Sequence, residues 1–166
     1  MLKKIKNKKS GFSLIESLIY IAILSTMAAI VVSTLLITAR SYNGLKKSRN
    51  INNSAITSLE RMTRDIKSAN DIVITESAFD IHPGRLTVQS SATSTEFYLD
   101  NGALKVKENS IDTGSLTHTG VLVDSLIFKM FDNGISKAVR IEMDVSIEDR
   151  GVIKTKKFYS TAVLRN

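Results

Sequence analysis

Lys8-Lys9-Ser10-Gly11-Phe12-Ser13-Leu14-Ile15-Glu16 runs directly into Ser17–Ala39, a stretch of 23 residues with no formal charge, rich in Leu, Ile, Val and Ala. At 1.5 Å per residue such a run makes a helix about 35 Å long, enough to cross a hydrocarbon core about 30 Å thick. A cleaved secretory signal has a shorter apolar region of about 7–15 residues followed by a small-residue cut site. The length therefore predicts a helix that remains in the membrane. Lys3, Lys4, Lys6, Lys8 and Lys9 precede it, with no acid among the first eleven residues. Arg40, Lys46, Lys47 and Arg49 follow it. The lysines are packed into the shorter stretch, which predicts a single pass with the N-terminus in the cytoplasm and the C-terminus outside.

Glu16 does not suit a plain anchor. An ionised carboxylate costs roughly 2.5–3.5 kcal/mol at the bilayer centre and less near an end. Proximity to the interface and to the positive end of the helix dipole would soften that cost.

Residues Lys8 to Glu16 resemble the prepilin peptidase signal of type IV pilins and type II secretion pseudopilins. In that family a short basic leader ends in glycine, the next residue is commonly phenylalanine, the fifth mature residue is glutamate, and a membrane helix follows at once. The resemblance implies cleavage by prepilin peptidase between Gly11 and Phe12 on the cytoplasmic face, and methylation of the new Phe12 amine. It also implies that Glu16 pairs with the amine of a neighbouring subunit during assembly, so that a correct register cancels a buried charge. Many major pilins have a helix-kinking proline where this chain has Ser33; its only proline is Pro83.

The formal charge of +7 over 166 residues raises a nucleic-acid reading, but five of the 23 basic residues lie in the leader. The rest of the chain is close to balanced, which does not support a global DNA-binding field. With no cysteine, disulfides and thiolate metal sites are excluded.

Beyond the apolar run, Leu45, Ile51, Ala55, Leu59, Met62, Ile66 and Ala69 recur at near-helical spacing, predicting an amphipathic continuation of the helix with Glu60 and Arg64 as an i, i+4 pair. Gly44, Asn50, Asn52 and Asn53 weaken helix propensity there. The run Leu59–Ala69 also resembles minor subunits of the J type in secretion pseudopili and the W type in pili. From Asp71 the period changes to 2, with short strands expected at Asp71–Thr75, Leu86–Ser90 and Glu96–Leu99. Asp100-Asn101-Gly102 reads as a hairpin that sets Leu99 opposite Leu104, Phe97 opposite Val106 and Glu96 opposite Lys107. A second meander alternates through Leu126, Phe128 and Met130, turns at Asp132-Asn133-Gly134, alternates again from Val139 to Ile147, and returns from Val152 to Leu164. Residues 77–84 and 109–119 read as polar loops.

The predicted fold is thus α+β and pilin-like, with a long N-terminal helix packed on one antiparallel sheet. It divides into a leader (1–11), a transmembrane and filament-core helix (12–39), an amphipathic continuation (40–70) and a β head (71–166). His82 and His118 read as exposed loop residues rather than a metal pair, and Glu142, Asp144, Glu148 and Asp149 as a solvated acidic face. No HExxH, Walker, GxGxxG, GxSxG or EF-hand pattern occurs, so no catalytic residue, cofactor or metal is assigned. Lys154, Lys156 and Lys157 read as an edge-strand guard in preference to a DNA contact.

The resemblance implies a structural, non-enzymatic minor subunit at the tip of a type IV pilus or of a secretion or competence pseudopilus. Its partners would be prepilin peptidase, other pilin or pseudopilin subunits bound through the N-terminal helix, the inner-membrane assembly platform, and membrane lipid before assembly. The alternative from a different class is a single-pass, membrane-anchored extracytoplasmic binding domain with no filament role.

Overall fold

The computed structural model describes residues 13–91, 93–134, 136–149 and 151–165. It divides into two compact units, with the boundary between Asn43 and Gly44. One helix, α1 (Leu14–Ser68), supplies all of the described secondary structure of the first unit and the first element of the second.

In the first unit the apolar side chains point outward on every side; Leu18, Ile21, Leu24, Met27 and Leu35 are all at least half exposed. A helix apolar all round belongs in apolar surroundings. The hydroxyls of Ser25, Thr26, Ser33, Thr34 and Thr38 are satisfied within the helix. Ser33 Oγ donates to Ala29 O at 2.8 Å, Thr34 Oγ1 to Ile30 O at 2.8 Å, and Thr38 Oγ1 to Thr34 O at 2.9 Å. Lipid supplies no partner for such groups, so internal pairing is what lets them lie in a membrane run.

In the second unit, Ile51, Ala55, Leu59, Met62 and Ile66 form the buried stripe that the spacing predicts. Leu45, expected in the same stripe, is 62% exposed. Gly44 and the asparagines do not interrupt the α-helix. Arg64 approaches Asp65 rather than Glu60, while Arg61 takes the i, i+4 position with Asp65 (Nε to Oδ2, 2.7 Å) and reaches Glu108 at 2.5 Å.

The strands form two antiparallel sheets, not one. The first orders β1 (Asp71–Ile72), β2 (Leu86–Gln89), β3 (Ser94–Asp100), β4 (Ala103–Glu108) and β5 (Ile111–Ser115); the second orders β6 (Val121–Asp132), β7 (Lys137–Asp149) and β8 (Val152–Val163). The Asn-Gly hairpin has the expected register, with Phe97 opposite Val106 and Leu99 opposite Leu104. Asn101 and Gly102 both have positive φ, at 50° and 75°, as a type I′ turn requires. The expected strand Asp71–Thr75 shortens to β1 because a 3-10 turn takes over at Ile74–Glu76. The expected loop 109–119 contains β5, whose weakly apolar Ile-Asp-Thr-Gly-Ser sequence pairs with β4 through a bulge. Backbone pairing holds that strand, and its side chains are mostly exposed.

Hydrogen bonds join the two sheets along β6. Gly84 N donates to Leu126 O at 2.9 Å, Asp80 N to Phe128 O at 2.9 Å, and Val123 N to Gly102 O at 2.8 Å. Gly84 is required by this approach, since a Cβ there would lie 2.8 Å from Leu126 O. Both sheets and the helix share one core, in which Met62, Ile66, Leu86, Phe97, Phe128, Ile141 and Met143 are fully buried.

Truncating Met62 to Ala should therefore cost about 2–5 kcal/mol, because neither the helix nor two sheets can collapse into the cavity. The neighbouring change Ile56→Ala, at a half-exposed position, should stay within roughly 1 kcal/mol. Urea denaturation of the detergent-solubilised chain distinguishes the two.

Candidate functional site

Of the residues singled out from the sequence, Gly11 and Phe12 lie outside the described residues, and Glu16 lies in the first turn of α1. At that end the unpaired N–H groups and the helix dipole favour a negative charge. Glu16 is half-buried although its neighbours in the run are exposed. Tyr20, one turn later, donates its hydroxyl to Glu16 Oε1 at 3.2 Å. Sequence reasoning passed over Tyr20; its i+4 spacing from Glu16 was the available signal. A carboxylate has room for about four hydrogen bonds. Among the described residues Tyr20 supplies one.

In the head, the acidic group is not a plain solvated face. Glu142 takes Lys129 at 3.1 Å and Arg140 at 3.0 Å, and Asp144 takes Lys157 at 3.3 Å. Asp149 ends β7 and is largely buried. Its Oδ2 accepts from Lys154 Nζ at 2.8 Å, and its Oδ1 faces Lys47 Nζ at 3.1 Å. Lys47 also donates to the Glu148 carbonyl at 3.0 Å, tying the β7–β8 turn to the start of the head's portion of α1. Lys156 bridges to Ser48 Oγ at 3.3 Å and Asn52 Oδ1 at 3.2 Å. Lys154, Lys156 and Lys157, on the edge strand β8, thus all have partners within the chain.

His82 and His118 are exposed, and they are held differently. His82 Nδ1 accepts from Leu126 N at 3.2 Å, while His118 donates its backbone N–H to Ser54 Oγ at 3.1 Å. Among the described residues no three His, Cys, Asp or Glu side chains gather in a metal-binding group.

Residues 6–38 match the family model described as the prokaryotic N-terminal methylation motif. Compared with curated proteins and with solved structures, the chain matches none. The matched segment takes in Gly11, Phe12, Glu16 and almost all of the apolar run, and it supports a type IV pilin-like prepilin. With one long N-terminal helix packed on antiparallel sheets, the architecture is pilin-like α+β. The motif implies processing by prepilin peptidase and assembly with other pilins, and together with the apolar helix it fits a membrane-anchored protein.

The Lys154 hydrogen bond, and then the Lys47 ammonium paired with Oδ1, lower the Asp149 carboxyl from its ordinary 3.8 to about 2, against the opposing effect of burial. A carboxylate with a depressed folded-state pKa stabilises the fold above its unfolded pKa and loses that contribution as pH falls through the folded value. Asp149→Asn should therefore lower the thermal midpoint at pH 7, with a penalty that shrinks between about pH 4 and pH 2. Melting curves of both proteins across that range check it; a penalty independent of pH would count against the clamp.

Proposed function

We propose that this chain is a minor pilin or pseudopilin subunit, cut by prepilin peptidase between Gly11 and Phe12, methylated on the Phe12 amine, and added at the tip of a type IV pilus or of a secretion or competence pseudopilus. The carrying observation is the methylation motif at residues 6–38, with Glu16 placed four residues after Phe12. In this reading the protein is structural, not catalytic. The leader is removed, the apolar helix crosses the cytoplasmic membrane with the head outside, and the assembly platform then moves the subunit from lipid into the filament.

Glu16 is the residue on which that transfer turns. In lipid it is held by Tyr20 alone among the described residues. In a filament, the cationic Phe12 amine of an adjacent subunit would complete its neutralisation. The pairing is strong because both groups leave water, and it is specific because a wrong axial register leaves two uncompensated charges. The head's modest size and the Leu59–Ala69 resemblance to J- and W-type subunits support a minor, tip position.

Mass spectrometry of the N-terminal peptide from membrane-extracted protein should find a chain starting at N-methylated Phe12. A start at Met1 would reduce the protein to an anchored extracytoplasmic domain.

Glu16→Val should be processed normally and yet incorporate poorly. Leaving the partner amine unpaired costs about 3–5 kcal/mol, equivalent to a loss of ~100-fold or more. Quantifying the subunit in sheared filaments beside its level in membranes measures that ratio, and wild-type incorporation of the variant would refute the role of Glu16.

A further inference from the structure

The turn end of the β7–β8 hairpin leaves apolar residues uncovered. Val152 and Ile153 are 59% and 70% exposed. Adjacent strand residues point to opposite faces of a sheet. Exposure of both therefore means that neither face of the hairpin is covered at this end. Farther along β8, Phe158 and Ala162 have the same parity as Val152 and are covered by the core.

The uncovered end has a defined place in the head. Thr63 Oγ1 meets Ser160 Oγ at 3.1 Å, Lys156 meets Asn52 and Ser48, and Lys47 meets Glu148 and Asp149. Moving back along β8 toward its start therefore runs back along the helix toward Gly44, where a Cβ would lie 3.9 Å from Asp149 Oδ2. Gly44 is the first residue of the head unit and follows Ala39, the last residue of the uncharged run, by five positions. Five residues of chain reach at most about 18 Å. The hairpin end thus lies beside Gly44, five residues of chain from the end of the uncharged run.

Its charge suits the same surroundings. Lys46 and Arg49 are exposed on the adjoining turns of α1, and Lys154 remains half exposed while bonded to Asp149. With Lys47 and Lys156 these five cations outnumber the carboxylates of Glu148 and Asp149. Exposed aliphatic residues framed by Lys and Arg are the composition that binds an anionic lipid surface, with the apolar side chains entering the interface and the cations among the headgroups.

We propose that this end of the head is a lipid contact. Val152 and Ile153 dip into the interface of an anionic bilayer, and Lys46, Arg49 and Lys154 engage its headgroups, holding the subunit's head against the membrane before assembly. The inference rests on the reading that residues 17–39 cross the membrane, and its test separates the two.

The chain has no cysteine, so single cysteines can carry an environment-sensitive fluorophore. The full-length protein labelled at Ile153→Cys is reconstituted into phosphatidylglycerol-containing vesicles and, separately, into phosphatidylcholine vesicles, both with brominated acyl chains. Val31→Cys in the apolar run and Ile111→Cys on the exposed β5 edge serve as references. The expected result is blue-shifted, bromine-quenched emission at 153 in anionic vesicles, weaker quenching in phosphatidylcholine, deep quenching at 31 and none at 111. Adding Lys46→Glu and Arg49→Glu should reduce the quenching at 153 alone. A label at 153 that resembles the one at 111 while 31 is quenched would overturn the lipid contact and leave the membrane span intact. Shielding of 153 that occurs only in assembled filaments would overturn it in favour of a neighbouring subunit. An unquenched label at 31 would instead remove the membrane span on which the inference stands.

Discussion

The head depends on one contact, the seating of the helix stripe Ile51–Ile66 against two sheets that share no strand. Each sheet has its own antiparallel ladder, and among the described residues three backbone hydrogen bonds along β6, from Gly84, Asp80 and Val123, stitch them together. Without the helix, β2–β4 and β6–β7 would each present a bare apolar face. Small sheets of that kind are marginal in water. Met62 and Ile66, fully buried, belong to the one core that both sheets share. At roughly 1.5–3 kcal/mol for each large side chain removed from water, the stripe outweighs the helix-propensity cost of Gly44 and the asparagines, each of order 1 kcal/mol or less. That balance explains why the α-helix continues through residues that favour a break.

Polar groups on the stripe show the same logic on a smaller scale. Ser54 and Ser58 are buried in the middle of it. Neither is left unpaired: Ser54 Oγ accepts from His118 N at 3.1 Å, and Ser58 Oγ donates to Leu116 O at 3.5 Å. The two serines fasten the connection between β5 and β6 to the helix. Their small size also lets the sheet backbone approach where a leucine would hold it off. Arg61, reaching both Asp65 and Glu108, fastens the end of β4 from the helix's flank.

Local rules that carry their own geometry were legible in the sequence. The Asn101-Gly102 turn set the β3–β4 register residue by residue, and the alternation from Val139 to Ile147 marked one face of β7 for the core. What could not be read depended on partners distant in sequence. β5 has almost no apolar signal and exists because β4 offers it a ladder. Separation into two sheets follows from the β5–β6 connection, where the chain leaves one ladder to begin another, and no residue there announces it. Asp149 read as part of a solvated acidic face because one of its two partners, Lys47, lies 102 positions away in the sequence. At the candidate site, Glu16 stood out from composition alone, a single acid at the edge of an uncharged run. Tyr20 did not, since a tyrosine near a membrane interface is ordinary.

The first turns of α1 show how differently hydroxyl and carboxylate fare in an apolar helix. Ser25, Thr26, Ser33, Thr34 and Thr38 each close a bond to a carbonyl three or four residues back, so they ask nothing further of their surroundings. A carboxylate has no donor of its own when ionised and cannot use those carbonyls. Tyr20 meets part of the need, with a neutral donor where a full positive charge would gain far more in a low dielectric. Among the described residues, Glu16 thus receives a single hydrogen bond, from Tyr20. The residue lies within the segment, 6–38, that matches the methylation motif.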